Sequence, residues 1–254
     1  MNAPAYGTLA AVYEWLVPEA LLTPAGSVAA FDTVVGDLRP GSRVLDCAAG
    51  TGELAVGLAL RGFDVVATDA SPAMIERLRA LAARHGVDIP AAVRRWDELT
   101  PEAFPQPFDA VFCVGNSLAH AAGQAARRAA VASMASVLRP GGPLVLTARN
   151  WERERAAGSR LEVGDRLVER GGRRGLVVHG WTIAERWDDR HALEIAVALV
   201  GADGAVTTHA ERLAFWPFGH ETLLDDLRAA ALVPDRSTYA EAAERYLVSA
   251  RRPA

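Results

Sequence analysis

Apolar positions along the first 150 residues fall into two kinds of run. Val44-Leu45, Val65-Val66-Ala67 and Ala110-Val111-Phe112-Cys113 are short and unbroken, as strands buried on both faces require. Val28, Phe31, Val35 and Leu38, and later Met74, Leu78 and Leu81, recur at helical spacing. The pattern predicts a short helix within 5–17, carrying Tyr6, Tyr13 and Trp15. A helix opened by Thr23-Pro24 follows and runs to a stop at Pro40-Gly41. A strand over 43–46 leads into a helix over 53–60, and a strand over 64–68 ends in Asp69. Ser71-Pro72 caps the next helix, which stops at Gly86. Strands are expected over 91–95, 108–114 and 144–148, with a helix over 124–138 ended by Arg139-Pro140-Gly141-Gly142. This βαβα alternation predicts an α/β fold: a mostly parallel sheet with helices on both faces.

The pattern changes after residue 150. Residues 151–172 hold many charges and glycines and read as a loop or lid. Three β-type runs follow, over 176–187, 191–200 and 206–216. They are separated by Asp188-Asp189-Arg190 and Gly201-Ala202-Asp203-Gly204, both suited to hairpins. An antiparallel insertion packed over the site is expected there. A last helix over 221–230 and a strand near 246–250 complete a single domain, 1–254. Within it, 1–40 is a helical cap, 41–150 the core, 151–218 the lid and insertion, and 219–254 the closing helix and strands.

Composition narrows the functions. A net charge of −4 argues against a general nucleic-acid binder. No apolar run is long enough to span a membrane, and 1–8 lacks the basic and apolar parts of a signal peptide. Cys47 and Cys113 sit in apolar segments as reduced core residues, so a cytoplasmic location is expected. All 27 basic residues are arginine, which excludes Schiff-base and P-loop lysine chemistry. The histidines lack ligand spacing, and no metal site is assigned.

In open parallel sheets, ligands bind beyond the carboxyl ends of the strands. Asp46, Asp69, Trp96-Asp97, Asn116 and Arg149 all fall at those ends. Gly50-Thr51-Gly52-Glu53-Leu54-Ala55 follows the first strand, and its small residues let a ligand approach the backbone at a helix start. The segment formally fits G-x-G-x-x-A, which leaves a nicotinamide enzyme as one reading. Asp46 counts against it, because a carboxylate there repels a pyrophosphate and favours a cationic amino acid end.

Asp46-x-x-x-Gly50-x-Gly52, with Asp69 ending the second strand, resembles the class I S-adenosylmethionine-dependent methyltransferases. Phe108-Asp109-Ala110-Val111, Gly115-Asn116-Ser117-Leu118-Ala119-His120, Leu138-Arg139-Pro140-Gly141-Gly142, Arg149-Asn150 and Leu213-Ala214-Phe215-Trp216-Pro217 are similar to the glycine N-methyltransferase subfamily. The resemblance implies a Rossmann-like sheet, S-adenosylmethionine as cofactor with S-adenosylhomocysteine as product, and a small-molecule acceptor. It implies that Ala48, Gly50 and Gly52 pass beneath the methionine part of the cofactor, near whose amino group Asp46 sits. It further implies that Asp69 accepts from the ribose hydroxyls. Ala70, Met74, Trp96 and Asp97 would line the adenine pocket, and Val114 and Gly115 would give backbone contacts. On the acceptor side, Asn116 would hold the amine, Arg149 a carboxylate and Trp216 the pocket roof. Tyr13, His120 and Asn116 are the catalytic candidates.

Each of these residues also has an ordinary structural role to set against the functional one. Met74 fits the helix's apolar stripe, Trp96 suits packing, Asp97 suits a turn cap, and Asn116 suits an Asx turn. Tyr13 suits packing, His120 a helix start and Arg149 a surface ion pair. The resembled family clasps the cofactor's carboxylate with an N-terminal basic residue, yet nothing basic precedes Arg39 here. Arg39, Arg43, Thr8 or backbone amides are the substitutes. The leading expectation is N-methylation of a small molecule. The alternatives are O-methylation, a nicotinamide oxidoreductase, or a cofactor-binding protein without catalysis. Self-association stays open.

Overall fold

In the computed structural model, residues 6–164, 167–187 and 189–254 are described. Asp188, expected in a hairpin connection, lies outside them. Seven strands form the main sheet: β1 (Arg43–Asp46), β2 (Asp64–Asp69), β3 (Ala91–Val93), β4 (Ala110–Cys113), β5 (Pro143–Arg149), β11 (Val233–Ser237) and β12 (Arg245–Arg251). Their spatial order is β11-β12-β5-β4-β1-β2-β3. The pairs β1–β2, β2–β3, β1–β4 and β4–β5 are parallel, whereas β12 runs antiparallel to both β5 and β11.

Helices α1 (Pro24–Ala29), α2 (Asp32–Val35), α3 (Glu53–Leu60), α4 (Pro72–His85) and α5 (Gly123–Ser136) occupy the first half, with α6 (Trp151–Ala157) and α7 (His220–Ala229) beyond. The unbroken apolar strands serve cores on both faces. Val44 joins the core that contains Leu54 and Val56 of α3, while Leu45 joins the one that contains Val131 and Met134 of α5. That two-sided burial is why period-2 alternation is absent from β1.

Several expectations are corrected. The helix expected up to Leu38 breaks at Phe31, which leaves helical geometry and turns its ring onto Phe112 at 5.7 Å. Thr23 does cap α1, its Oγ1 accepting from the Gly26 amide at 3.1 Å. Ser71 does not cap α4 with its hydroxyl; its own backbone N–H donates to Asp69 instead. The 151–172 stretch is not a plain loop. It begins with α6, whose first turn is capped by the Asn150 side chain accepting from Arg153 N, and continues into β6 (Arg160–Val163) and β7 (Val168–Arg170). These pair with β8 (Arg173–Thr182), which continues through β9 (His191–Val200) to β10 (Val206–Phe215) in a separate antiparallel sheet. Leu193, Ile195, Val197, Leu213 and Phe215 carry that sheet onto the α5-side core. Strand β11 went unpredicted because Pro234 and Asp235 disfavour strands; it is tolerated at the sheet edge, with a register shift between Pro234 and Arg236.

The N-terminal segment forms a 3-10 helix over Leu9–Trp15 and docks on the second sheet. Glu211 of β10 accepts from the backbone amides of Tyr6, Thr8 and Leu9 at 2.7, 2.9 and 3.1 Å. Gly175 leaves room for Trp15: a Cβ there would lie 2.7 Å from the indole. Among the described residues, no helix is long and apolar enough to cross a membrane.

One buried ion pair joins α5 to α7. Asp226 is fully buried and pairs with the buried Arg127 and, at 2.7 Å, with Arg128. Removing the carboxylate leaves the Arg127 charge buried and unpaired. Asp226→Ala is therefore expected to lower unfolding stability by about 3–5 kcal/mol, read from urea unfolding followed by tryptophan fluorescence. A loss under about 1 kcal/mol would assign the pair the weight of a surface contact.

Candidate active site

The carboxyl ends of β1 and β2 meet through one loop. Asp46 ends β1 and is 1% exposed, yet neither carboxylate oxygen has a hydrogen-bond partner. Burial pushes its pKa up to about 7; the Asp69 and Glu53 charges raise it further, and the nearby Ala48 amide only partly offsets this. A buried acid without a hydrogen-bond partner is costly unless a cation or donor answers it. Asp69 ends β2 and braces the loop. One carboxylate oxygen accepts from the Gly50 amide at 2.9 Å and the other from the Ser71 amide at 2.8 Å. Burial raises its pKa, and these two amides pull it back. Each oxygen keeps a free lone pair for a further donor.

The loop's glycines have different reasons to be there. Gly52 takes φ +97°, and a Cβ would lie 2.6 Å from the Leu78 side chain, so α4 packs directly against the turn. Gly50 takes φ +54°, which favours glycine, and a Cβ there would enter open space. Ala48 is half-buried beside it, and Ala70 is exposed just past Asp69. Met74 is 2% exposed on α4. Trp96 reaches back to β1, its indole N–H donating to the Cys47 carbonyl at 3.0 Å. Asp97 points outward with its side chain 76% exposed and pairs with Arg95 at 3.3 Å.

Past β4, Val114 is half-buried and Gly115 takes φ +78°, its N–H donating to Thr147 Oγ1 at 2.8 Å. Asn116 adopts a left-handed φ of +67° and is buried, and its side-chain oxygen accepts from the Arg149 N–H at 2.9 Å. That bond ties the ends of β4 and β5 and takes one of the two lone pairs of the Asn116 oxygen. The Arg149 guanidinium pairs with Glu154 at 2.8 Å and lies 5.0 Å from the Trp181 ring centre. Glu154 also holds Arg160.

Aromatic side chains close this side. Tyr6 meets Tyr13 edge to face at 5.5 Å and His120 at 5.6 Å, and His120 lies against Phe215 at 4.5 Å. His120 Nδ1 faces the Ala214 carbonyl at 2.9 Å, so Nδ1 carries the proton and Nε2 keeps its lone pair. Burial drives the His120 pKa down to about 4 despite that hydrogen bond. Burial likewise raises both phenols, Tyr13 to about 12. Strand alternation puts Phe215 into this cluster; Trp216 next to it contributes a backbone N–H to the Ala119 carbonyl at 2.7 Å, and its ring makes no aromatic contact among the described residues.

Of the substitutes for an N-terminal basic residue, Arg43 lies at the far end of β1, bound to the Gln106 carbonyl and paired with Asp64. Arg39 acts on Asp109 at that same end. The backbone amide of Thr8 is taken by Glu211. Glu211 and Arg245 are residues the sequence reading missed; nothing in the local pattern sets them apart. A cavity of about 460 Å³ lined by Arg127, Glu152, His220 and Tyr239 touches none of the loop residues above. Among the described residues, no acid, histidine and cysteine cluster has metal-binding geometry.

Residues 44–142 match the family described as "Methyltransferase domain". A glycine/sarcosine N-methyltransferase of Parasynechococcus marenigrum is 37% identical over 121 residues, which is 48% of this chain and 43% of that protein. Human glycine N-methyltransferase is 36% identical over 43% of this chain and 41% of its own length. The chain thus aligns with less than half the length of these curated relatives. Solved structures extend the likeness over nearly the whole chain. A sugar N-methyltransferase from a Streptoalloteichus species superposes with TM-score 0.76 at 26% identity, covering 100% of this chain and 96% of that one. An amino pentose methyltransferase from Micromonospora echinaspora, solved with S-adenosylmethionine bound, gives 0.73 at 25% identity over 95% of both. The strand order, the acid-ended β1 and β2 around a glycine loop, and these likenesses show the Rossmann-like fold of S-adenosylmethionine-dependent methyltransferases, with the methyltransferase-domain match lying over residues 44–142.

Proposed function

We propose that the protein methylates an amine nitrogen of a small molecule, using S-adenosylmethionine. The observation that carries the reading is the orphaned Asp46 carboxylate beside the open space over Gly50, with Asp69 one strand away. Asp46 answers an ammonium group, Asp69 a pair of hydroxyls, and the glycine loop leaves room between them. When bound, the cofactor supplies a methyl group already activated on a sulfonium. The relatives' activities, N-methylation of glycine and sarcosine and of a sugar, support a nitrogen acceptor.

The protonation states around the aromatic cluster support the same atom. Tyr6 and Tyr13 keep their protons at neutral pH. His120 is neutral there, with Nε2 a weak base, because its pKa is only about 4. An alcohol acceptor needs a stronger base than this, whereas a free amine brings its own lone pair. The chain's contribution is then to orient the amine and exclude water. Tyr13 Oη, His120 Nε2 and the second lone pair of Asn116 Oδ1 are the acceptors assigned to hold its N–H groups, and Phe215 is assigned with Trp216 to the apolar wall. The acceptor is identified by mass spectrometry after incubation with S-adenosylmethionine and matched amines and alcohols. Methylated alcohols without methylated amines would overturn the nitrogen assignment.

Two binding measurements check the cofactor assignment. Asp69→Ala removes acceptors that charge-assisted hydrogen bonds use, so S-adenosylhomocysteine affinity is expected to fall about 100-fold or more, with the melting temperature as the control for folding. Calorimetry that finds wild-type affinity in the variant would reassign Asp69 to loop bracing alone.

Asp46 sets a pH dependence. Its folded pKa is raised above the unfolded value, so the unliganded protein loses stability as pH rises from about 4 through about 7. A cationic ligand end stabilises the ionised form. S-adenosylhomocysteine affinity is therefore expected to rise between pH 5.5 and 7.5, with net proton release seen in buffers of different ionisation enthalpy. Asp46→Asn should flatten both trends; an unchanged profile would separate Asp46 from the ligand.

A further inference from the structure

The last strand brings a second guanidinium to the site. Arg245 opens β12 and stands directly opposite Arg149 across the antiparallel β5–β12 pair, so both side chains leave the same face of the sheet. Like charges placed this way repel, and here the two arginines are not equivalent. Arg149 is neutralised by Glu154 and covered by Trp181. Among the described residues, the Arg245 guanidinium has neither an ion pair nor a hydrogen bond, and its neighbour Glu244 pairs with Arg153 at 3.3 Å instead.

Arg245 also lies at the end of the sheet where the parallel strands have their carboxyl ends. Its side chain is reached by solvent, yet the surrounding protein disfavours its charge, and Arg149 adds to that. Its charge acts on both Tyr6 and Tyr13, and Tyr13 in turn feels Glu53 and Asp69 of the glycine-loop side. The register opposite Arg149 and this charge coupling put Arg245 near the aromatic cluster, at the strand ends beyond which an acceptor would lie. Arg39 and Arg43 sit at the opposite end of the strands. A water-reachable cation with no ion pair or hydrogen bond among the described residues, opposite another cation and with only the Glu244 charge nearby to favour it, fits a group available to a ligand anion.

We infer that Arg245 receives an anionic group, carboxylate or phosphate, of the methyl acceptor, while Arg149 is held by Glu154 as part of the wall. This rests on the methyltransferase reading above. The test is calorimetry on the full chain saturated with S-adenosylhomocysteine, which prevents turnover. The probes are glycine against methylamine for a carboxylate, and phosphoethanolamine against ethanolamine for a phosphate.

At least one anionic probe should bind about 10-fold or more tightly than its partner lacking the anion, the range of one charged hydrogen bond. Arg245→Ala should erase that preference, and Arg245→Lys should keep part of it. Affinity for S-adenosylhomocysteine should stay within about twofold. The melting temperature should hold, since the substitution removes a like-charge contact. No preference in the wild type, or an equal preference in Arg245→Ala, would overturn the inference. A parallel fall in S-adenosylhomocysteine affinity would also overturn it, by assigning Arg245 to the cofactor's own carboxylate. If S-adenosylhomocysteine fails to bind the wild type at all, the reading of the function falls instead.

Discussion

The turn at residues 50–52 is the constraint from which the site is built. Gly52 sits against Leu78 with no room for a side chain, and Gly50 donates its amide to Asp69 across the gap between two parallel strands. Those contacts fix the start of α3, the exit of β2 and the angle of α4 at once. They leave the Asp46 carboxylate buried with only the Ala48 amide beside it and no well-formed hydrogen bond, at the cost of a raised pKa. A fold that tolerates such a cost at one loop has a ligand as its most economical explanation.

The acceptor side is held differently. Here side chains are bound to one another: Asn116 to the Arg149 backbone, the Arg149 guanidinium to Glu154, His120 to the Ala214 carbonyl. Three separate parts of the chain meet there, namely the N-terminal segment, the ends of β4 and β5, and the second sheet. Glu211 joins the first to the last by capping three amides of the N-terminal segment. The cofactor side thus depends on backbone geometry within one βαβ unit. The acceptor side depends on how distant segments are docked, which gives it room to differ between proteins that share the same sheet.

Much of this was legible in the sequence. Unbroken apolar runs bounded by Pro and Gly located the parallel strands and α3 and α4, because burial on both faces leaves a local signature. Asp46, Gly50, Gly52 and Asp69 were legible for the same reason: strand ends and tight turns impose residue types at fixed spacing. The break at Phe31, the edge strand β11 and the structured 151–164 stretch were not, since each is stabilised by contacts with residues far away. Phe112 draws Phe31 out of its helix, β12 supplies the partner for a strand containing proline, and β8 supplies one for β6.

Tertiary structure alone decided which polar groups remain free. The sequence placed Arg149 at a strand end but carried no sign that Glu154, five residues on, would neutralise it. Equally, nothing local marks Arg245, whose position opposite Arg149 follows from the register of an antiparallel pair formed by segments about a hundred residues apart. Phe215 is the last residue of β10 and packs against His120 and Trp151, whereas Trp216 lies just past the strand and is half-buried, a difference that only packing decides. Spacing along the chain determines backbone geometry near a turn. Which charges are spent and which are left for a ligand is a property of three-dimensional neighbours.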